Sequence, residues 1–209
     1  LNRFHRTNNV TSKKIFNFFI KKLGIKQAYK YKLYLDNFIR KSPGKVTITK
    51  NLNSVEFLNI IKEQKYDIAI ARGGGILRKS FIELFRYGII NLHGSGPLPF
   101  YRGLGSLEFA LIDKKKIFLN FHYIDVGIDT GDILKKVELS LEKKMPLSKI
   151  YAILNFELIN VIANLINSIN FYHLAKQEQK KHEGRQHFLA HPLFEDIVIK
   201  SLSKEQNNI

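Results

Sequence analysis

Hydrophobic and polar positions follow two periods along this chain, and each change of period marks an element. Ile15, Phe16, Phe19, Ile20 and Leu23 fall at helical spacing before Gly24. A second helical run covers Gln27 to Arg40 and stops at Ser42-Pro43-Gly44. From Lys45 the texture changes. Lys45 to Thr49 reads as a strand rich in β-branched residues, and a helix capped by Asn53 or Ser54 runs to about Gln64. Asp67 to Ala71 is a short apolar strand of the kind buried in parallel sheets. The loop Arg72-Gly73-Gly74-Gly75 follows, then a helix to about Arg86 and a strand from Gly88 to His93. The pattern continues with a helix over 105–114 and strands at Phe118–Ile124 and Ile133–Leu141. Ile150 to Ile169 is the most apolar stretch, but it carries Asn155, Glu157, Asn160, Asn164 and Asn167. A membrane span needs about 20 residues with few polar ones, so a buried helix is predicted. A polar tail starts at Gln177, and Phe194 to Leu202 reads as a short terminal helix.

Strands alternating with helices predict an α/β fold with a doubly wound, mostly parallel sheet. Ligands of such sheets sit beyond the carboxyl ends of the strands. The Gly73–Gly75 loop and the segment after His93 are both expected there. A first strand with a glycine loop is not evident in residues 1–44, so a sheet lacking that strand is part of the expectation. The domain reading is a basic helical segment at 1–44, a core at 45–175 and a polar tail with a short helix at 176–209.

The length, 209 residues, suits one domain with a small appendage. The absence of Cys excludes disulfides, thiolate catalysis and Cys-based zinc sites. It suits a reducing compartment, and no secretory signal is visible, so a cytoplasmic location is expected. The chain opens on Leu1 rather than Met, as an N-terminally incomplete piece does. The formal charge is +16, which suits nucleic acid, an anionic membrane or an anionic small substrate. Gly88 to Leu134 departs from this: Arg102, Lys114, Lys115 and Lys116 face Glu108, Asp113, Asp125, Asp129 and Asp132. The excess charge lies elsewhere, and a general bias toward Lys accounts for it better than an RNA footprint does. The first helices are accordingly read as core-facing, with a solvated Lys face.

That near-neutral segment holds the candidate chemistry. Asn91 and His93 are two apart on one strand, so their side chains share a face near its carboxyl end. Asp129 lies in the loop Val126-Gly127-Ile128-Asp129-Thr130-Gly131, which can return its carboxylate to the imidazole. An amide donor stabilises an oxyanion, and a His tuned by a carboxylate moves protons near neutral pH. No Ser elbow is present. The set suits direct attack by an amine on an activated acyl group, without a metal.

The ordered motifs are Asn91-Leu-His93, Leu98-Pro99, Tyr101-Arg102-Gly103, His122 and Asp125-Val-Gly127-Ile-Asp129-Thr130-Gly131. In this order and spacing, over roughly residues 45–170, the chain resembles the formyltransferases that use 10-formyltetrahydrofolate. It departs from them in a loop after His93 that is one residue longer, and in Phe118 and Asn120 where Gly and Thr are commoner.

The resemblance implies a Rossmann-like fold and a formyl transfer to a primary amine. It implies that Asn91 polarises the formyl oxygen, His93 stabilises charge and moves protons, and Asp129 sets His93. It implies a folate pocket walled by Gly73, Gly74, Gly75, Ile76 and Leu77 and covered by Ile128, Thr130 and Gly131. Arg102, Gly103 and His122 are the expected acceptor-side residues, with Arg72 and Arg102 as candidates for a basic rim. The acceptor is expected to be phosphorylated or nucleotide-linked, not nucleic acid or membrane. An amino sugar is favoured over glycinamide ribonucleotide and over methionyl-tRNA, whose formyltransferases carry a C-terminal domain with no room after residue 175. A formyltetrahydrofolate hydrolase is the alternative enzyme, and a degenerate folate- or RNA-binding protein the non-catalytic one.

Overall fold

The protein is described from a computed structural model. The structure describes residues 47, 49–142, 145–168, 176–180, 182–189, 194, 197, 198 and 200. The chain divides into two units, Leu1–Asn51 and Leu52–Ile209, and every element below belongs to the second. The helices expected before residue 43 lie outside the described residues. So do most of the strand expected at 45–49 and most of the terminal helix.

The described elements, in order, are α1 (Val55–Gln64), β1 (Ala69–Ala71), α2 (Lys79–Ile82), β2 (Ile89–Ser95), β3 (Tyr101–Gly103), α3 (Ser106–Ile112), β4 (Ile117–Tyr123), β5 (Ile133–Leu139), α4 (Leu147–Ser168) and β6 (Arg185–His187). Helix α1 starts where the Ser54 side chain accepts a hydrogen bond from the Phe57 N–H, with Glu56 in its first turn. It ends at Lys65 in the left-handed region. Helix α2 is one turn long rather than reaching Arg86, because the chain turns through Leu84 to return as β2.

The α/β architecture is as expected, and its sheet is mixed. Its order is β1-β2-β4-β5. Strands β1 and β2 are parallel, joined through α2, whereas β2–β4 and β4–β5 are antiparallel. Strand β2 alternates strictly. Ile90 and Leu92 point to one face, where α4 lays Ile150, Leu154, Leu158 and Ile162 across them together with Leu119 and Phe121. Each of these buried at i, i+4 spacing contributes about 1.5–3 kcal/mol over exposure. Ile89 points to the other face and packs with Leu77, Phe81 and Phe85. No described helix is long and apolar enough to cross a membrane.

A second, two-stranded sheet pairs β3 with β6 in parallel, Tyr101 opposite Arg185 and Gly103 opposite His187. The stretch from Gln177 reads as a polar tail, and of its described residues Gln177 pairs with Ile133 and Arg185–His187 with β3.

Candidate active site

Alternation on β2 puts Asn91 and His93 on the face opposite Ile90 and Leu92, as the spacing predicts. Antiparallel pairing then sets His122 of β4 opposite Asn91, and Asn120 opposite His93. Four polar side chains from adjacent strands thus meet in one block. A register shift between Phe121 and His122 bends β4 at this point.

The β4–β5 loop delivers the carboxylate. Asp125 Oδ1 accepts from the Gly127 N–H at 3.0 Å and from Thr130 Oγ1 at 2.6 Å, which folds the loop on itself. Asp129 sits at its crest with φ +52, a left-handed conformation that Asp tolerates better than most residues. Its Oδ1 accepts from Asn91 Nδ2 at 3.1 Å. Its Oδ2 accepts from the Gly103 backbone N–H at 2.8 Å and lies 3.8 Å from His93 Nδ1. The motifs singled out in the sequence, Asn-x-His, Tyr-Arg-Gly and the Asp loop, therefore converge on one carboxylate.

His122 is 1% exposed, and its ring nitrogens have distinct roles. Nδ1 is 2.8 Å from the Tyr123 carbonyl, which can only accept, so Nδ1 carries a proton. Nε2 is 3.1 Å from Asn91 Nδ2 and 3.4 Å from Asp129 Oδ1. In neutral His122 it accepts from Asn91. Both amide hydrogens of Asn91 are then directed at Asp129 and His122. On the far side of His93, Nε2 is 3.2 Å from Ser106 Oγ at the start of α3.

Burial opposes ionisation of Asp129. The bond with His122, the two imidazoles and the Gly103 N–H outweigh it and hold the carboxyl well below the usual carboxylate range. Burial pushes His93 below its ordinary value; Asp129 pulls it up, while His122 and Arg72 push it further down. The resting site is therefore a carboxylate beside a neutral imidazole. Such a pair accepts a proton at the imidazole and stabilises the cation formed.

The remaining expected residues take varied places. Gly73, Gly74 and Gly75 form an exposed loop with φ +73, +101 and +78. No atom lies near a Cβ built at Gly73 or Gly75, and Ile76 is 71% exposed, so this wall offers bare backbone and one apolar side chain. Leu77 instead turns into the core with Phe81. Ile128 is half-buried, next to exposed Val126 and Gly127. Thr130 and Gly131 serve the loop itself: the Thr130 hydroxyl binds Asp125, and a Cβ on Gly131 would meet the Tyr123 carbonyl. Arg102 is not on a rim. It is 5% exposed, with its guanidinium on Gln179 Oε1 and the Lys180 carbonyl. Arg72 donates to Asn155 Oδ1 at 2.8 Å and to the Leu92 carbonyl at 3.2 Å. A groove of about 890 Å³ opens beside the loop, between Phe85, Tyr87 and Tyr123, but none of Asn91, His93 and Asp129 lines it. Among the described residues no cluster of His, Asp and Glu is suited to a metal ion.

Ser106 and Gln179 were not visible from the pattern, and Asn120 stood out only as a departure from the resemblance, not as a neighbour of His93. Pairing β4 against β2 would have found Asn120. Ser106 and Gln179 carry no local signal, because each reaches the site from a distant element.

A sequence profile of the family described as formyl transferase matches residues 25–163. Methionyl-tRNA formyltransferase of Clostridium beijerinckii is 31% identical over 156 residues, covering 74% of this chain and 49% of that protein. The counterpart from Alkaliphilus metalliredigens is 42% identical over 90 residues, 42% of this chain and 28% of that one. The chain spans about half the length, or less, of these curated relatives. Among solved structures, the formyltransferase PseJ from Anoxybacillus kamchatkensis, in complex with UDP-4,6-dideoxy-4-formamido-L-AltNAc and tetrahydrofolate, matches with a TM-score of 0.58 at 23% identity, over 75% of this chain and 81% of that one. Methionyl-tRNA formyltransferase from Clostridium thermocellum matches with a TM-score of 0.55 at 19% identity, over 92% of this chain and 74% of that one.

Proposed function

The chain belongs to the formyl transferase family, and from that premise we propose that it moves a formyl group from 10-formyltetrahydrofolate to a primary amine, with Asn91, His93 and Asp129 at the reacting centre. The observation that carries the reading is the convergence of Asn91, at 3.1 Å, and His93, at 3.8 Å, on the Asp129 carboxylate. The donor supplies the formyl carbon. Its ring is read against the bare backbone of Gly73–Gly75 and exposed Ile76, under the loop carrying Val126, Ile128 and Asp129. These walls suit a flat, polar-edged heterocycle, since they combine free backbone groups with apolar side chains.

The acceptor amine attacks the formyl carbon, forming a C–N bond. Negative charge grows on the formyl oxygen, and Asn91 Nδ2 turns one hydrogen from His122 to that oxygen. His93, neutral at rest, takes the proton released by the amine, and Asp129 stabilises the imidazolium. His93 then returns the proton to the departing folate nitrogen as the old C–N bond breaks.

The acceptor proposed is an amino sugar carried on a nucleotide. Methionyl-tRNA is the second reading, favoured by the 31% identity to a methionyl-tRNA formyltransferase. A screen of both acceptors with 10-formyltetrahydrofolate, repeated with Asn91→Ala and Asp129→Ala, tests the proposal. Each change should lower turnover on the order of 10²–10³-fold. Turnover that survives both changes sinks the site assignment. Formate release without any amine would move the reading to a hydrolase.

A further inference from the structure

We propose that Gln179 and Arg102 form a positioning pair that holds the backbone of Asp129, so that a segment beyond the stretch matching the family completes the site. The inference rests on the reading of Asp129 as the partner of His93.

Gln179 is 6% exposed, and its amide is used on both sides. Its Oε1 accepts from Arg102 Nε at 3.2 Å and from a terminal guanidinium nitrogen at 3.1 Å. Its Nε2 donates to the Asp129 carbonyl at 3.1 Å and to the Gly131 carbonyl at 2.5 Å. The orientation is determined by its partners. A flipped amide would set NH₂ against the guanidinium and oxygen against two carbonyls. Arg102 is itself 5% exposed, and also donates to the Lys180 carbonyl at 3.3 Å.

Asp129 needs such a hold. Its φ of +52 is a conformation that costs a non-glycine residue free energy unless its surroundings impose it. The loop's own bonds, from the Gly127 N–H and the Thr130 hydroxyl to Asp125, flank Asp129 on both sides but do not engage its backbone. The carbonyls of Asp129 and Gly131 have their partner in Gln179. Gln179 thus reaches the backbone of Asp129, while the adjacent Gly103 N–H reaches its side chain. Arg102 and Gly103 are consecutive, so one short strand fastens the residue twice.

The expected consequence appears at His93. The groups facing that ring are the Asp129 carboxylate, the His122 ring, the Arg72 guanidinium, Ser106 Oγ and the Tyr101 carbonyl. Asp129 is the charge that favours the imidazolium. A retreat of its carboxylate from about 4 Å to about 6 Å, at an effective dielectric of about 20, lowers the midpoint of His93 by about one pH unit.

The test is a side-chain NMR titration of His93 in the protein without substrates, for Gln179→Ala, Gln179→Glu and Arg102→Lys. Gln179→Glu keeps the volume and a partner for Arg102, but replaces the donor that binds two carbonyls. All three should lower the His93 midpoint, by about one unit in the two Gln179 variants, and the double variant Gln179→Ala/Arg102→Lys should go no lower than Gln179→Ala. Formyl turnover should fall about 10-fold or more in kcat, with the acceptor KM within about two-fold. An unmoved His93 midpoint in Gln179→Glu and Arg102→Lys overturns the proposal even if turnover falls. A lowered midpoint in a protein that never consumes the donor supports the pair and overturns the proposed reaction instead.

Discussion

Gly103 gives its N–H to Asp129 Oδ2 at 2.8 Å from a backbone with φ +84, a conformation side chains rarely adopt. Its Cα faces β6 so closely that a Cβ would run into the His187 carbonyl. Gly103→Ala is therefore expected to force β3 from β6 and to withdraw the N–H from the carboxylate. The expected cost is about 1–3 kcal/mol, or a fall of about 2–12 °C in Tm. Thermal melts check the cost. Formyl turnover should drop further than the unfolded fraction explains, because the carboxylate loses a bond in molecules that remain folded.

The titrating groups of the site make the fold weaker toward acid. His93 is held below its ordinary value by burial first, against the pull of Asp129. As pH falls through about 6.5, the unfolded chain takes up this proton before the folded one does, so stability declines. Asp129 is held low by its hydrogen bonds and neighbouring imidazoles, in spite of burial. Its contribution is present above the unfolded carboxyl value of about 3.9 and is lost as pH falls through the folded one. Two steps are expected in Tm against pH, one beginning near pH 6.5 and one below pH 4. His93→Gln should shrink the first step to the share of His187, which burial also lowers, and should weaken the second, because Asp129 loses one of the imidazoles that hold it low. A first step of unchanged size in that variant would assign it to another residue.

The element pattern and the convergence of Asn91, His93 and Asp129 were legible because each rests on a local rule. Two residues apart on a strand share a face, and a Gly-flanked Asp turns a loop. His122 was visible as a motif residue, but its role came from antiparallel pairing, which local periodicity does not specify. Arg102 shows the limit more sharply. In sequence it reads as a candidate for a basic rim, whereas it is buried with Gln179, 77 residues away, as its partner. The segment 176–187 has no apolar rhythm, because it is held by side-chain amides, backbone carbonyls and one short strand rather than by core burial.

Arg72 acts on His93 through space. It stands in the loop after β1, exposed, with its guanidinium on Asn155 and the Leu92 carbonyl. Its charge disfavours the imidazolium, so Arg72→Ala should raise the acid midpoint of kcat/KM, opposite to the effect of loosening Asp129. The rise should be largest at low ionic strength and should shrink at about 0.5 M salt, since exposed charges are screened. A pH–rate series at two salt concentrations measures both. An unchanged midpoint at low salt would show that solvent already screens Arg72 from the ring.

Asn120 bears on the loop after His93, where this chain carries one residue more than the resemblance leads one to expect. It is fully buried, with Oδ1 accepting from the Leu98 N–H at 3.3 Å. Its Nδ2 donates to the Gly96 carbonyl at 3.1 Å and lies within 3.4 Å of the His93 carbonyl. Both partners are in the stretch that begins at His93. Asn120→Ala would leave the buried Leu98 N–H without its acceptor, at a cost of about 1–3 kcal/mol. Asn120→Asp keeps that acceptor but sets a carboxylate oxygen against carbonyls in a site without solvent, so it should be the less stable of the two above pH 5. Its deficit should narrow as pH falls, because the protonated acid regains a donor. Urea unfolding of both variants at pH 5 and pH 8 reads the order directly. Hydrogen exchange at Leu98 separates the mechanisms: faster exchange in Asn120→Ala with protection kept in Asn120→Asp is expected. Equal exchange in the two variants would mean that the loop is held by Pro97, Pro99 and packing of Leu98, not by the Asn120 amide.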